Sequence, residues 1–397
     1  MILSSRIEDY LSRASWIRRM FEAGIELKKQ YGADNVYDFS LGNPDLAPPA
    51  AVAAGLRKLA DEAERPFAFG YMPNAGYPQV REQLAGTVSA EQGVAVSAAN
   101  VIMTCGAAGG INALFRAVLE PGAEVLCPAP YFVEYGFYVE NHGGTLRSVP
   151  ARPLTFELDL DALAESITER TRCVLINSPN NPTGRVYSRQ ELAALADVLR
   201  RASNRFGRPI LLVSDEPYRF LAYDQAEVPG IFPLYEHSVV VSSFSKNLAL
   251  AGERVGYAAV NPAMPEAARL MEGLVLANRI LGFINTPAVG QRLLAEALGH
   301  GVDVSVYAAR RKAMAEVLET AGFSFSLPQG AFYFFPRIPR GNDDTAFVRL
   351  LMEERILAVP GSGFGYPGYF RLAFCVDEAV IRGAAQGFAR AFAAASA

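Results

Sequence analysis

The chain has 397 residues, of which 51% are hydrophobic and 20% charged, and its formal net charge is −4. This composition is typical of a compact globular protein with a large core, and it excludes a mainly disordered chain. No run of basic residues occurs, so a nucleic-acid partner is not expected. No apolar stretch is long enough to span a bilayer, so we expect no membrane association and predict a cytoplasmic protein.

The cysteines and histidines indicate neither disulfides nor a metal site. The four cysteines are widely spaced and form no Cys-x-x-Cys pair, which predicts buried free thiols in a reducing compartment. The three histidines show no metal-ligand spacing and no partner acid, so we assign them no role. These residues are Cys105, Cys127, Cys173, Cys375, His142, His237 and His300.

Short apolar runs alternate with helical patterns between about residues 95 and 260. Continuous rather than alternating hydrophobicity is typical of strands that are covered on both faces. In the pattern Arg189–Arg201, three leucines share one helical face. An α/β fold is therefore predicted, with a mostly parallel central sheet flanked by helices. The predicted strands are NVIMT (100–104), AEVLC (123–127), TRCVLIN (171–177), PILLVSD (209–215) and HSVVVSS (237–243).

The C-terminal part has a different pattern, which predicts a smaller α+β domain. Helical patterns over 264–279 and 286–321 precede three short apolar runs, and a closing helix begins at Asp377. The runs are FYFFP (332–336), LAVP (357–360) and YFRLAF (369–374). We expect a large domain over 50–290 and a small domain that combines 1–49 with 291–397.

Polar and glycine residues follow several of the predicted strands. In an open α/β sheet, ligands bind beyond the carboxyl ends of the strands, so these residues are expected to meet at one edge. The segment TCGAAGG (104–110) follows a strand and opens a helix, which indicates either a phosphate-binding helix N-terminus or a simple tight turn. It does not fit the dinucleotide fingerprint G-x-G-x-x-G. The residues at this edge are Gly106–Gly110, Phe132, Asn181, Asp215, Tyr218, Ser243 and Lys246.

Three of these positions each allow more than one interpretation. Asp215 is either a Mg²⁺ ligand, a helix cap, or a buried carboxylate that pairs with a cationic ring nitrogen; the first requires a phosphate-binding G-x-x-x-x-G-K-[ST] loop, which is missing from the sequence. Asn181 lies either in an ordinary turn or in a rigid loop suited to holding a phenolic oxygen. Lys246 is either solvated or able to form a Schiff base with an aldehyde cofactor. In the latter case burial and the neighbouring Arg254 would lower its pKa.

The ordered motifs resemble those of the fold-type I pyridoxal-phosphate (PLP) aminotransferases of class I/II, the aspartate-aminotransferase-like family. This resemblance implies the PLP-dependent transferase fold. It covers nearly the whole chain through SLGNPD (40–45), YMPNAGY (71–77), TCGAAGG, PAPYFVEY (128–135), NSPNNPTG (177–184), SDEPY (214–218), SFSKNLALAGERVG (243–256), PQGAFYFFP (328–336) and YFRLAF.

The resemblance implies catalytic roles for a few of these residues. Lys246 matches the Schiff-base lysine, which also moves the proton between the substrate Cα and the cofactor. Asp215 matches the acid that keeps the pyridine nitrogen protonated. Asn181 and Tyr218 match the pair that binds the phenolic oxygen of the ring, and Arg371 matches the arginine that binds the substrate α-carboxylate.

Further binding residues follow from the same resemblance. Phe132 matches the aromatic residue that stacks on the ring, and Gly42 lies where a glycine backbone approaches the substrate carboxylate. Tyr71 matches a tyrosine that reaches the phosphate in the neighbouring subunit, which implies a homodimer with shared sites. The phosphate would be held by Gly106, Ala107, Ala108, Ser243 and Arg254.

The resemblance implies an aminotransferase that moves an amino group from an L-amino acid to a 2-oxo acid by a ping-pong mechanism. A PLP-dependent β-lyase or decarboxylase on the same fold is the alternative, and a non-catalytic PLP- or amino-acid-binding protein is a further one. Arg279 lies near the segment from which some relatives send a second arginine into the neighbouring site. Its register differs by one residue, so a surface arginine is the preferred interpretation.

Overall fold

The computed structural model describes residues 2–12 and 16–397. Short 3₁₀ helices occupy Ala33–Asn35, Ala98–Asn100, Ala251–Glu253 and Gly361–Phe364. The helices are α1 (Ser5–Ser12), α2 (Trp16–Tyr31), α3 (Ala50–Glu62), α4 (Pro78–Gln92), α5 (Gly106–Val118), α6 (Glu134–Asn141), α7 (Leu160–Ser166), α8 (Arg189–Phe206), α9 (Ala267–Ile280), α10 (Ala288–Ala297), α11 (Val304–Ala321), α12 (Asp344–Glu353), α13 (Glu378–Gly383) and α14 (Ala385–Ser396). The strands are β1 (Tyr37–Asp38), β2 (Val101–Cys105), β3 (Glu124–Ala129), β4 (Thr145–Pro150), β5 (Thr171–Asn177), β6 (Leu211–Asp215), β7 (Ser238–Ser243), β8 (Val255–Val260), β9 (Tyr333–Phe334), β10 (Ile356–Leu357), β11 (Val359–Pro360) and β12 (Phe370–Ala373).

A seven-stranded sheet with the order β2-β8-β7-β6-β5-β3-β4 forms the centre of the large layer. Strand β8 runs antiparallel to both of its neighbours, and the remaining pairs are parallel. The predicted α/β class with a mostly parallel central sheet is confirmed. The five predicted strands correspond to β2, β3, β5, β6 and β7, whereas β4 and β8 were not predicted.

Each face of the central sheet has its own hydrophobic core. On strand β5, Cys173 and Leu175 pack with α5 and α9, while Val174 and Ile176 pack with α4 and α8. Side chains alternate between the two faces of a strand, so a strand covered on both sides is apolar along its whole length. This arrangement explains the continuous apolar runs in the sequence.

The C-terminal part contains an antiparallel sheet, β11-β12-β9, and a parallel pair, β1-β10. The predicted helix over 286–321 is two helices, because residues 298–303 contain Gly299 and Gly301 and because Asp303 caps α11 by accepting a hydrogen bond from the Ser305 N–H at 2.9 Å. The closing segment is likewise two helices, α13 and α14. Asp377 caps the first of them through the Ala379 N–H, as the sequence indicated.

A third hydrophobic core lies under the C-terminal sheet. Leu294 and Ala297 on α10 still belong to the core that contains α4 and α8, whereas Val302 belongs to the third core. Helix α10 packs against α3, where Gly55 allows Leu293 to approach closely. The division into 50–290 and the flanking segments stays a prediction. No helix in the described part of the chain is long and apolar enough to cross a membrane, and the cytoplasmic location stays a prediction.

Candidate active site

The first turn of α5 lies at the carboxyl edge of the central sheet, directly after β2. Gly106 has a φ of 71°, and a Cβ at this position would lie 2.8 Å from an Nη atom of Arg254. The glycine therefore lets a guanidinium approach the free N–H groups of the helix. A helix N-terminus beside an arginine is suited to binding a phosphate. Ala107 and Ala108 follow in the same turn and line the adjacent cleft.

Asp215 ends β6 and is buried at the same edge of the sheet. Its Oδ2 accepts a hydrogen bond of 2.5 Å from the Tyr135 hydroxyl, whereas its Oδ1 is buried with no partner among the described residues. Burial raises the pKa of this carboxyl to about 7, and the neighbouring Glu216 adds to the shift. A buried carboxylate oxygen without a partner indicates a place for a cationic or N–H-bearing ligand.

The loop after β5 is tied to the strand that carries Asp215. Asn177 donates through Nδ2 to the Asp215 carbonyl at 2.8 Å and accepts through Oδ1 from the Asn181 N–H at 2.7 Å. The Asn181 side chain is thereby held at the edge of the cleft, where its Oδ1 accepts from Arg371 at 3.1 Å. These contacts are consistent with the interpretation of a rigid loop around Asn181, whose role stays a prediction.

Lys246 follows β7 and reaches into the cleft, with its Nζ 2.5 Å from the carbonyl oxygen of Gly42. Burial lowers the pKa of its amine to about 8. Arg371 and Arg254 lower this pKa further, whereas Cys375 opposes the shift. The sequence predicted the direction, the role of burial and the role of Arg254, but not the contribution of Arg371. An amine in this state is a better nucleophile and base at neutral pH than an exposed lysine.

Arg371 lies on β12, beside the apolar residues of the third core, and is 2% exposed. One Nη donates to the Ser40 carbonyl at 2.5 Å, and the guanidinium lies 4.8 Å from the ring centroid of Tyr333 and 4.9 Å from that of Phe364. Its Nε has no partner among the described residues. A buried guanidinium without a carboxylate partner is suited to binding the carboxylate of a ligand.

A cleft of about 320 Å³ joins these groups between the edge of the sheet and the C-terminal part. It lies near, but does not include, Gly106, and Tyr71 is 91% exposed and does not line it. Arg279 lines a separate depression together with Asn74 and Arg81. The predicted site residues that line the cleft are Gly42, Ala107, Ala108, Phe132, Asn181, Asp215, Tyr218, Ser243, Lys246, Arg254 and Arg371.

Three tyrosines of the cleft were not predicted from the sequence. Tyr135 donates to Asp215, and Tyr138 also lines the cleft, as does Tyr333, whose hydroxyl is 2.7 Å from that of Tyr218. Tyr135 lies three residues after Phe132 in the motif PAPYFVEY, so its closeness in sequence to a predicted stacking residue could have indicated it. Tyr333 lies in the apolar run FYFFP, where an aromatic residue is indistinguishable from a core residue.

The residue set fits a flat, phosphate-bearing cofactor with an aldehyde and a ring nitrogen. The Oδ1 of Asp215, which has no partner in the described part of the chain, suits a protonated ring nitrogen, and the first turn of α5 with Arg254 suits the phosphate. Phe132, which makes an edge-on contact of 5.6 Å with Tyr135, lines the same cleft and suits a stacking role. Lys246 lines this cleft and is the lysine among the described lining residues, so its amine suits an aldehyde there.

Known proteins resemble this chain along nearly its full length. A family model described as aminotransferase class I and II matches residues 34–388. A probable aspartate/prephenate aminotransferase of Thermus aquaticus is 34% identical over 92% of this chain and 94% of its own. A probable aspartate aminotransferase of Methanocaldococcus jannaschii is 28% identical over 85% of this chain and 88% of its own.

Solved structures show the same similarity. The crystal structure of an aminotransferase from Eubacterium rectale matches with a TM-score of 0.96 and 35% identity, covering 100% of both chains. The aspartate aminotransferase of Thermus thermophilus, solved with maleate, matches with a TM-score of 0.86 and 28% identity, covering 98% of this chain and 100% of that one.

Proposed function

The chain belongs to the class I and II aminotransferases, which are fold-type I, PLP-dependent enzymes, and we propose that it holds pyridoxal 5′-phosphate in the cleft around Lys246. In this proposal it transfers an amino group from an L-amino acid to a 2-oxo acid in two ping-pong half-reactions. The observation that carries the proposal is that an amine with a lowered pKa, a carboxylate with an unpartnered oxygen and a buried guanidinium line one cleft.

The residues that would hold the cofactor come from several segments. The first turn of α5, with Gly106, Ala107 and Ala108, would bind the phosphate together with Ser243 and Arg254. Asp215 would pair with the ring nitrogen, and Phe132 would stack on the ring. Asn181 and Tyr218 would bind the phenolic oxygen. Ala107 and Ala108 have no polar side chains, so the phosphate would depend on backbone N–H groups, Ser243 and Arg254.

The bound cofactor would supply an electron sink for the charge left on the substrate Cα when its proton leaves. Lys246 would bind the cofactor covalently, and its amine would afterwards carry the proton as general base and acid. Its pKa of about 8 suits both tasks near neutral pH. Arg371 would orient the substrate by binding the α-carboxylate, and the Ser40 carbonyl and the Asn181 amide hold its guanidinium in place.

The proposed amino donor is aspartate, and this follows from the relatives alone. Several of them are named aspartate or aspartate/prephenate aminotransferases. A spectrophotometric screen of all amino acids against the cofactor-loaded protein, followed by 2-oxo acids, identifies the donor and acceptor. Formation of glutamate from 2-oxoglutarate supports transfer, whereas release of pyruvate and ammonia without an acceptor supports the β-lyase alternative.

A test of the central residue uses the variant Lys246→Ala. We expect transfer to fall by at least about a thousandfold, because both the covalent link and the proton carrier are lost. Borohydride reduction followed by peptide mass spectrometry should place the trapped cofactor on Lys246 in the wild type. Lys58→Ala, which removes an exposed lysine paired with Glu296, is the matched control and should retain activity. Unchanged turnover in Lys246→Ala would refute the assignment.

We also propose a homodimer in which Tyr71 completes the site of the partner subunit. In one chain Tyr71 is 91% exposed and does not line its own cleft. Phe67, Leu276 and Ile280 are also large apolar side chains with exposures of 92%, 50% and 54%. Exposed apolar side chains of this size favour a protein interface.

A further inference from the structure

Tyr333 and Tyr218 form a buried pair of phenols inside the cleft. Their hydroxyl oxygens are 2.7 Å apart, and their rings meet edge to face with centroids 5.6 Å apart at 88°. Both residues line the cleft, although they lie 115 positions apart in the sequence. Tyr333 is 2% exposed and Tyr218 is 5% exposed, so both side chains are shielded from bulk water.

The backbone of Gly42 closes the space around the Tyr333 hydroxyl. A Cβ on residue 42 would overlap this hydroxyl, so no larger residue fits while the phenol stays in place. Gly42 also accepts the hydrogen bond from Lys246 through its carbonyl. Among the residues whose side chains the structure describes, the Tyr218 hydroxyl is the hydrogen-bond partner of the Tyr333 hydroxyl.

The direction of the hydrogen bond between the two phenols determines what Tyr218 can do. Each phenol has one proton to donate and can also accept. If Tyr333 accepted, the proton of Tyr218 would be used inside the pair and could not reach a ligand. If Tyr333 donates, the proton of Tyr218 is free for an acceptor in the cleft. A phenol that accepts a hydrogen bond is also a stronger donor, because hydrogen bonds in a chain polarise one another.

The ring of Tyr333 makes a second contact that concerns ligand binding. The Arg371 guanidinium lies 4.8 Å from its centroid, within the range of a cation–π contact. The hydroxyl and the ring of one residue thus contact two different groups of the site.

We propose that Tyr333 is a positioning residue that donates to Tyr218, so directs the Tyr218 hydroxyl at the phenolic oxygen of the cofactor, and supports Arg371 with its ring. This inference rests on the proposed function. It also gives a reason for glycine at position 42: the Tyr333 hydroxyl occupies the space of a side chain there, in addition to the approach of a substrate to the backbone.

The hydroxyl is tested with Tyr333→Phe, which keeps the ring under Arg371. The visible absorbance of the bound cofactor changes when the proton shared by its phenolic oxygen and the Lys246 nitrogen leaves. A hydrogen bond to the phenolic oxygen favours the deprotonated form of the bound cofactor. Weakening this bond should therefore raise the pH at the midpoint of the absorbance change. We expect an increase of about half a pH unit to one unit. The other ionisable groups near the pair, Arg371, Asp215 and Cys375, are unchanged in the variant.

Tyr223→Phe is the matched control for a lost buried hydroxyl. The Tyr223 hydroxyl donates to the Ala331 carbonyl at 2.7 Å in the same hydrophobic core and does not line the cleft. This variant should show the wild-type midpoint even if its melting temperature falls. A shift of the same size in both variants, or no shift in Tyr333→Phe, overturns the role of the hydroxyl.

The ring is tested with Tyr333→Leu and a simple carboxylate, 3-phenylpropionate, whose binding is followed by the cofactor absorbance. Loss of the cation–π contact should weaken binding roughly 3- to 30-fold, while Tyr333→Phe should bind within about twofold of the wild type. Equal affinity in Tyr333→Leu and the wild type overturns the role of the ring. If the wild-type protein holds no cofactor, the proposed function is refuted as well. If the cofactor absorbance of the wild type changes with pH but the Tyr333 variants behave like the wild type, only this inference is refuted.

Discussion

At the scale of single residues, Asp215 has the most unusual environment in the site. One carboxylate oxygen accepts from Tyr135, and the other is buried without a partner among the described residues. Burial disfavours the charged form and raises the pKa to about 7. A cation bound at the free oxygen would reverse this effect, because an opposite charge favours the carboxylate. The site is thus destabilised until a ligand is bound.

The variant Asp215→Asn tests this in the cofactor-free protein. The folded-state pKa lies above the unfolded value, so the folded protein holds the proton more tightly and loses stability as pH rises from about 4 to about 7. The full effect is roughly 4 kcal/mol, and Asn does not titrate. The wild type should therefore lose stability between about pH 4 and about pH 7 through this group, and the variant should not. Measured by thermal unfolding, the melting temperature of the variant minus that of the wild type should increase with pH over this range.

Asp224→Asn is the control for that experiment, because Arg311 lowers the pKa of this exposed carboxylate. Its melting temperature relative to wild type should not increase with pH. A pH-independent difference for Asp215→Asn would contradict the raised pKa. With the cofactor added, the same variant should bind it more weakly and lose most of its activity.

The residue roles themselves stay predictions, but the structure explains which residues the sequence could indicate. Asp215 ends an apolar run and Lys246 follows one, whereas Arg371 is a single charged residue inside the apolar run YFRLAF. Charged residues in such positions can be recognised from the sequence alone. Tyr333 was not predicted, because an aromatic residue in an apolar run has the same pattern whether it is core or site. Its contact with Tyr218 spans 115 positions and exists only in the fold.

At the scale of elements, the loop 40–45 connects the site to the C-terminal core. Its carbonyl oxygens at Ser40 and Gly42 accept from Arg371 and Lys246. The end of the loop is held by Asp45, which accepts two hydrogen bonds from Arg310 on α11, at 2.6 and 2.8 Å. The Arg310 side chain is only 8% exposed, so this ion pair is partly shielded from solvent.

The variant Asp45→Asn should loosen this loop. It weakens a two-bond contact to a buried arginine, so we expect a loss of about 1–3 kcal/mol in stability. We also expect KM for the amino acid to rise about 3- to 10-fold with a smaller change in kcat, because Arg371 loses a fixed carbonyl partner. Steady-state kinetics and thermal unfolding measure the two effects.

The matched control is Glu354→Gln, which alters an ion pair between Glu354 and Arg390 away from the loop. Exposed pairs contribute little, so this variant should keep its KM and nearly all of its stability. An unchanged KM in Asp45→Asn, with lowered stability, would show that other contacts hold the loop in place.

The strands that the sequence predicted are buried and also rich in residues with high strand propensity, whereas β8 is equally buried but lacks that composition. The five predicted strands are rich in Val, Ile and Leu, whereas β8 contains Gly256, Ala258 and Ala259, which have low strand propensity. It is a strand because β2 and β7 flank it and pair with its backbone on both sides. The sequence did not predict the break between α10 and α11, because the apolar pattern continues beyond Gly299 and Gly301. The structure shows that residues before the break pack in a different hydrophobic core from those after it.

At the scale of the whole molecule, the single chain leaves several large apolar side chains exposed. Phe67 and Tyr71 are almost fully exposed, and the last turns of α9 expose Leu276 and Ile280. The proposed dimer would cover these side chains and bring Tyr71 to the site of the partner. In that dimer, activity would depend on assembly.

The double variant Leu276→Asp/Ile280→Asp should disrupt the dimer, because charges would be buried at an apolar interface. We expect a monomer in analytical ultracentrifugation at micromolar concentration and a large loss of activity. Leu327→Asp, at a leucine that is 48% exposed in the C-terminal part, is the control and should remain dimeric. An active wild-type monomer would refute shared sites.

The amino-acid sequence by itself determined the fold class, since the apolar runs report burial on both faces, and it determined the family resemblance through motifs at strand ends. Only the tertiary structure decided that these ends meet at one cleft with about 320 Å³ of space, and that one oxygen of Asp215 has no partner there among the described residues. Burial, charge and hydrogen bonding between distant segments are properties of the packed chain. A pattern along the sequence reports what each segment prefers, whereas a pKa or a phenol pair depends on which segments become neighbours.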